Sequence, residues 1–179
     1  MNRSSLMTRL FFIGIATCVI GINTSAAQNK AEATDSLRYP QEKHLANIKQ
    51  LTFGGDNAEA YWSFDSRKLV FQATRAEWNA SCDQIFIMDT KHPEKPSSIP
   101  DLVSTGKGRT TCAYFMPGNK SVLYASTHIG NESCPHVPPR RDDGKYVWPI
   151  YPDYDIFVAN LKGKIKKQLT NEPGYDAEA

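Results

Sequence analysis

One stretch of this chain occurs twice. Residues 60–74 (AYWSFDSRKLVFQAT) and 113–127 (AYFMPGNKSVLYAST) align without a gap, position 60 falling on position 113. Each copy has an aromatic run, a polar turn, an apolar run and a closing threonine, Thr74 or Thr127. A third copy begins near the end. Gln50-Leu51-Thr52 returns as Gln168-Leu169-Thr170, and Asn57-Ala58-Glu59-Ala60 as Asp176-Ala177-Glu178-Ala179. A unit that repeats in sequence repeats in space, and it buries its apolar face against its neighbours.

The repeating unit is built from strands. Leu69–Thr74, Gln84–Met88, Val122–Ser126 and Asp155–Ala159 are short, rich in β-branched and aromatic residues, and separated by turn residues. No segment sustains the 3.6-residue apolar period of a helix. The expected strands are 57–64, 68–74, 83–90 and 101–104 in the first copy. In the second they are 110–116, 121–127, 154–161 and 164–170. Repeats of four antiparallel strands are the blades of a β-propeller. The fold class expected is all-β, with blade one at about 53–104, blade two at about 109–170 and a third blade beginning at about 173. Trp62 and Phe115 hold equivalent places on the innermost strands, and both are expected in the core.

The motif order makes the resemblance specific. Gln50-Leu51-Thr52, then Gly55-Asp56-Asn57-Ala58-Glu59-Ala60-Tyr61-Trp62-Ser63-Phe64-Asp65, then Lys68-Leu69-Val70-Phe71 resembles the WD-like repeat of TolB-type propellers over residues 44–179. Phe64 and Ser66 replace the expected proline and glycine; the second copy keeps Pro117 and Lys120. The resemblance implies a bacterial periplasmic setting and a closed ring, in which Leu45–Thr52 is the outer strand of a closing blade. Two blades cannot close a ring, so the sequence reads as the N-terminal part of a longer propeller.

Arg3 and Arg9 precede the apolar run Leu10–Ile22, and the small residues Thr24-Ser25-Ala26-Ala27 follow it. That is the pattern of a secretory signal peptide at 1–27, cleaved near Ala27, with a polar linker at 28–43. The run is shorter than the roughly 20 residues of a membrane span. Removing Arg3 and Arg9 balances the 21 basic residues against the 19 acidic ones. Nothing in that charge points to nucleic acid.

Export favours disulfides, and Cys82, Cys112 and Cys134 survive processing. Blade topology puts all three on one rim. The expected pair is Cys82–Cys112, with Cys112–Cys134 the alternative. His128, Cys134 and His136, with Cys112, have zinc-ligand residue types but no familiar ligand spacing, so no metal is assigned, and no cofactor. Gly106-Lys107-Gly108-Arg109 fits no phosphate-binding motif and reads as a tight turn. The chain has no G-x-S-x-G and no H-E-x-x-H.

The least repeat-like segment is 129–153. Its Arg140, Arg141, Asp142, Asp143, Tyr146 and Trp148 are candidate binding residues, because arginine and aromatic side chains dominate protein contacts. The function expected is a non-enzymatic, exported platform for a protein partner or ligand. The alternatives are the propeller half of a prolyl-oligopeptidase-type serine peptidase, and a propeller lyase or carbohydrate-binding protein.

Overall fold

The computed structural model describes residues 37–90, 99–145 and 147–178. The expected leader and the side chain of Tyr146 lie outside them. The chain divides into two compact units, 1–49 and 50–179. In the first, residues 37–49 form no strand. Glu42 N donates to Tyr39 O to close a turn, and the Glu42 carboxylate accepts from His44 N and Leu45 N.

The second unit is all-β, as expected. Strands β1 (Asp56–Trp62), β2 (Lys68–Arg75), β3 (Ala80–Asp89) and β4 (Asp101–Leu102) form one antiparallel sheet in that order. Strands β5 (Thr110–Phe115), β6 (Ser121–Ser126), β7 (Asp153–Asn160) and β8 (Ile165–Gln168) form a second. A two-residue strand, β9 (Gly174–Tyr175), joins the second sheet by pairing parallel to β7. Residues 50–52 carry no strand, so Leu45–Thr52 forms no strand at any point. Among the described residues, no helix is long and apolar enough to cross a membrane.

The repeat is visible in backbone detail. In the first sheet a turn runs from Ser63 to Ser66, with Ser66 N donating to Ser63 O (2.8 Å). Its counterpart in the second sheet has Asn119 N donating to Met116 O (3.0 Å). The fourth turn residue is left-handed in both, at φ +54° for Ser66 and +57° for Asn119. The side chain of Asn119 ties the two turns together, its Oδ1 accepting from Phe64 N (2.8 Å).

The main core lies between the sheets. Val70, Ile85, Ile87 and Val103 of the first sheet's side pack with Phe115, Val122, Tyr124 and Phe157 of the second, all at most 3% exposed. Strand alternation explains the selection. Along β2, Val70 and Gln72 face the second sheet, while Leu69, Phe71 and Ala73 face away.

The opposite faces follow the same repeat. Leu69, Phe71, Phe86 and Met88 are the first sheet's counterparts of Val122, Tyr124, Phe157 and Ala159, by register. Over that face of the first sheet lies the short 3₁₀ turn Ala76–Trp78, with Trp78 against Phe86 (ring centroids 5.2 Å) and Phe71 (6.4 Å), and Leu51 and Thr52 border Leu69, Phe71 and Met88. Trp62 projects on this same face and is 52% exposed. The expectation of a buried Trp62 is therefore corrected. Phe115 holds the equivalent place and is 1% exposed, because the first sheet covers it.

Candidate functional site

The first strand of each sheet, β1 and β5, carries a bulge at the same repeat position. The register of β1 against β2 shifts between Ala58 and Tyr61, and that of β5 against β6 between Thr111 and Tyr114. Glu59 and Cys112, the equivalent residues inside the two bulges, both have φ +50°. Left-handed backbone is costly for residues other than glycine, yet this chain adopts it twice at one repeat position. A bulge re-aims the side chains around it. Here Glu59 and Cys112 line a common cleft of about 400 Å3.

Gln72 of β2 organises the floor of this cleft. Its Oε1 accepts from Cys112 N (3.2 Å) and from Thr111 Oγ1 (3.0 Å), satisfying a backbone N–H that the bulge takes out of the ladder. These two contacts fix the amide's orientation. The Nε2 group therefore sits on the other branch, with no hydrogen-bond partner among the described residues. Gln72 is 7% exposed and lines the cleft.

The third, partial copy supplies a third wall. Glu178 is the repeat counterpart of Glu59, and it too lines the cleft. Its neighbour Ala177 packs on Ala125 and Tyr154 of the second sheet. That contact corresponds by repeat to the one Thr111 makes with Gln72 of the first sheet. Glu59 accepts a hydrogen bond from Tyr61 Oη (2.8 Å), which pushes the Tyr61 phenol up in pKa. Burial pushes the Cys112 thiol up, and the Glu178 and Glu59 charges push it further, against a hydrogen bond with Thr111. At neutral pH Cys112 is thus an uncharged thiol, the unreactive form.

The long loop between β6 and β7 closes the cleft. Trp148 and Ile150 line it beside Tyr175, and Trp148 Nε1 donates to Tyr175 Oη (2.7 Å). Tyr151 Oη donates to His136 O (2.8 Å), folding the loop onto itself. Of the six loop residues expected to bind, Trp148 is in the cleft. Arg140, Arg141, Asp142 and Asp143 line a separate shallow depression of about 540 Å3. There Arg141 pairs with Asp143 (Nη2–Oδ2 3.0 Å) and holds its carboxyl below the usual range.

The cysteine pairing differs from both expected alternatives. The disulfide is Cys82–Cys134, with Cα atoms 5.9 Å apart, and Cys112 is free. Two local facts account for it. The bulge turns Cys112 toward the cleft. The start of the long loop is meanwhile drawn to Cys82, because Gly108 joins them: Gly108 N donates to Glu132 O (2.7 Å), and Cys82 Sγ lies 3.1 Å from Gly108 O. Gly108 O also accepts from Gln84 Nε2 (2.8 Å). Only glycine serves at this turn. Its φ is +60°, and a Cβ would meet Thr127 Oγ1 at 2.7 Å and His128 N at 2.8 Å. Gly106–Arg109 is accordingly the tight turn expected.

The Nδ1 of His128 lies 2.8 Å from Ser126 Oγ and its ring 4.5 Å from that of Phe157. Burial holds it below the ordinary histidine pKa; Asp155 opposes and Lys107 adds to that shift. Cys134 is committed to the disulfide, and no group of three His, Cys, Asp or Glu among the described residues is arranged to hold a metal ion.

Glu59, Gln72, Ile150, Tyr175 and Glu178 were not singled out from the sequence, and Cys112 was assigned another role. One signal was available: the repeat places Glu59, Cys112 and Glu178 at one position, so that a carboxylate or thiol recurs there. The chain matches no family model, and no curated protein is similar to it.

Proposed function

We propose that the two sheets are neighbouring blades of an exported, TolB-like β-propeller, and that the chain is a non-catalytic platform which takes its ligand in the cleft between β1, β5 and the Trp148 loop. The observation that carries this reading is the convergence of three equivalent repeat positions, Glu59, Cys112 and Glu178, under one aromatic wall. Repeat equivalence brings side chains from successive innermost strands to one axis, and a site at such an axis suits binding. The neutral thiol of Cys112, with no histidine among the cleft residues, supports binding over nucleophilic chemistry. The counterpart apolar faces of the two sheets support further blades of the same repeat.

The test is a peptide array, spanning all residue types, probed with the purified chain. Trp148→Ala is expected to weaken the retained peptides at least ~10-fold without changing the melting transition, as removal of an aromatic anchor does. Arg140→Ala with Arg141→Ala is expected to leave them bound. The opposite pattern would move the platform to the loop depression. N-terminal sequencing of the exported protein, expected to begin near Gln28, tests the leader.

A further inference from the structure

Charge is unevenly distributed across the second sheet. Residues 156–171 carry four lysines, Lys162, Lys164, Lys166 and Lys167, and no aspartate, glutamate or arginine. The four occupy the β7–β8 turn and β8 itself, and all are exposed. Strand β8 ends the order β5-β6-β7-β8, and among the described residues no strand pairs with its outer side. None of the four ammonium groups has an ion pair or a hydrogen bond with another described residue. Elsewhere cations are matched: Arg67 with Asp65, Arg75 with Glu77, Lys107 with Glu132, Arg109 with Asp83 and Arg141 with Asp143. Asp155, just before the lysine run, is already engaged by Gln168 Nε2 (3.0 Å) and Thr170 Oγ1 (3.2 Å).

A lysine on an edge strand guards it against the addition of another strand. That purpose does not call for exposed leucines beside the lysines, and two are present. Leu169 follows β8 and is 45% exposed; Leu102 is 42% exposed. The backbone at Leu102 passes close to the β7–β8 turn, where a Cβ on Gly163 would lie 3.4 Å from Val103 O and 3.7 Å from Leu102 O. Leu161 and Ile165 pack on the main core and hold the lysine row in place. Lysines interleaved with exposed leucines suit the boundary of an anionic bilayer, where ammonium groups meet phosphates and leucines meet acyl chains. A nucleic-acid surface would use arginine forks and aromatic rings for the bases, and residues 161–171 have neither. Lys164 to Lys167 extend over about 10 Å of strand, a row for several headgroups rather than for one phosphate.

We propose that the β7–β8 turn and β8 form a peripheral docking strip for an anionic phospholipid surface, with Lys162, Lys164, Lys166 and Lys167 on headgroup phosphates and Leu102 and Leu169 at the boundary with the acyl chains. The cleft lies at β1 and β5, and β5 is the opposite edge of the second sheet. A chain held by β8 keeps that cleft about 14 Å from the docking edge, at the usual strand spacing. The strip stands whether or not the cleft takes a ligand.

The probe is a vesicle of phosphatidylcholine with about one-third phosphatidylglycerol, set against one of phosphatidylcholine alone and cosedimented with the full chain. The apolar run Leu10–Ile22 is the same in every variant, and the zwitterionic vesicle measures its share. The chain is expected to bind the anionic vesicle at least ~10-fold tighter, with a preference that shrinks as salt is raised. Lys166→Glu with Lys167→Glu is expected to weaken anionic binding at least ~10-fold, at about fivefold per lysine removed, with the melting temperature unchanged. Lys43→Glu with Lys49→Glu makes the same change of net charge on exposed lysines outside the strip, and is expected to leave binding within about twofold. Should the first pair fail to fold, Lys162→Glu with Lys164→Glu in the turn carries the same expectation. Equal weakening by the strip and control pairs would reduce the effect to net charge and overturn the strip. So would equal binding to the two vesicles, or displacement by inorganic phosphate at equal phosphate concentration. Tighter binding to duplex DNA than to the anionic vesicle, at equal phosphate, would overturn the lipid assignment.

Discussion

Trp62 and Phe115 stand at one position of one repeat, on equivalent strands, beside equivalent bulges, yet one is half exposed and the other sealed. Their neighbours differ in the same way. Strand β1 is exposed along its whole length, whereas β5 is buried at four of its six residues. Nothing in the two strands themselves makes this difference. Phe115 faces the first sheet, whereas Trp62 faces a side that, among the described residues, no second sheet covers. In a repeat architecture, then, the local unit sets the direction of a side chain, and the adjacent unit sets its burial.

The sharpest way to break this comparison is to truncate both aromatics. Phe115→Ala is expected to cost about 3–5 kcal/mol. Trp62→Ala is expected to cost only about 1 kcal/mol, in line with half-burial of its ring. Urea unfolding of the two variants measures both. Equal costs would mean that Trp62 is covered in solution, as by another copy of the chain.

The cysteines give the next largest effect and separate the seam from the cleft. The Cys82–Cys134 bond spans 52 residues, a loop whose closure is worth about 4 kcal/mol in the chain-entropy account. Cys82→Ser or Cys134→Ser is expected to lose most of that under oxidising conditions, while Cys112→Ser stays within about 1 kcal/mol of the parent. Thermal melts with and without reductant make the comparison. A reductant-sensitive Cys82→Ser variant would indicate a pairing that includes Cys112.

The paired turns allow a finer comparison. Ser66 and Asn119 share a left-handed conformation, but asparagine tolerates it better and its side chain here holds Phe64 N. Ser66→Gly is expected to stabilise the protein by up to about 1 kcal/mol. Asn119→Gly is expected to be neutral or destabilising, because the bond between the turns is lost. Chemical denaturation of both variants would show whether the two turns are as alike energetically as geometrically.

The smallest effect is in pH. His128 titrates below its ordinary value of 6.5 in the folded protein, so the unfolded chain takes up its proton first. Its contribution to stability is complete above that ordinary value and is lost as pH falls through the lowered folded one. His128→Phe should flatten the decline in melting temperature on the acid side of neutrality. An unchanged slope would assign the decline to carboxylates elsewhere.

Much of this architecture could be read directly. The 53-residue offset located both sheets, and alternation with turn chemistry located their strands to within about three residues of those observed. The failures have two causes, a strand bulge and the path of a loop. The one-rim argument for Cys82 and Cys112 assumed regular strands, and the bulge at Cys112 changed where that side chain points. Of the expected loop residues, Arg140–Asp143 and Trp148 diverge in space because the loop folds back through Tyr151 and His136. Composition marked the segment as adhesive, but only its path decides which residues reach β1 and β5.

The order of strands, the turns between them and the equivalence of Glu59, Cys112 and Glu178 are therefore properties of the sequence, since each rests on local sterics or on a repeat that can be counted. The burial of Phe115, the exposure of Trp62, the choice of Cys134 over Cys112 and the meeting of two carboxylates with Trp148 and Gln72 were settled by tertiary structure. Each depends on which surfaces, distant along the chain, come within a few ångströms of one another. Packing between sheets and the course of a long loop set those distances, and no local pattern encodes them.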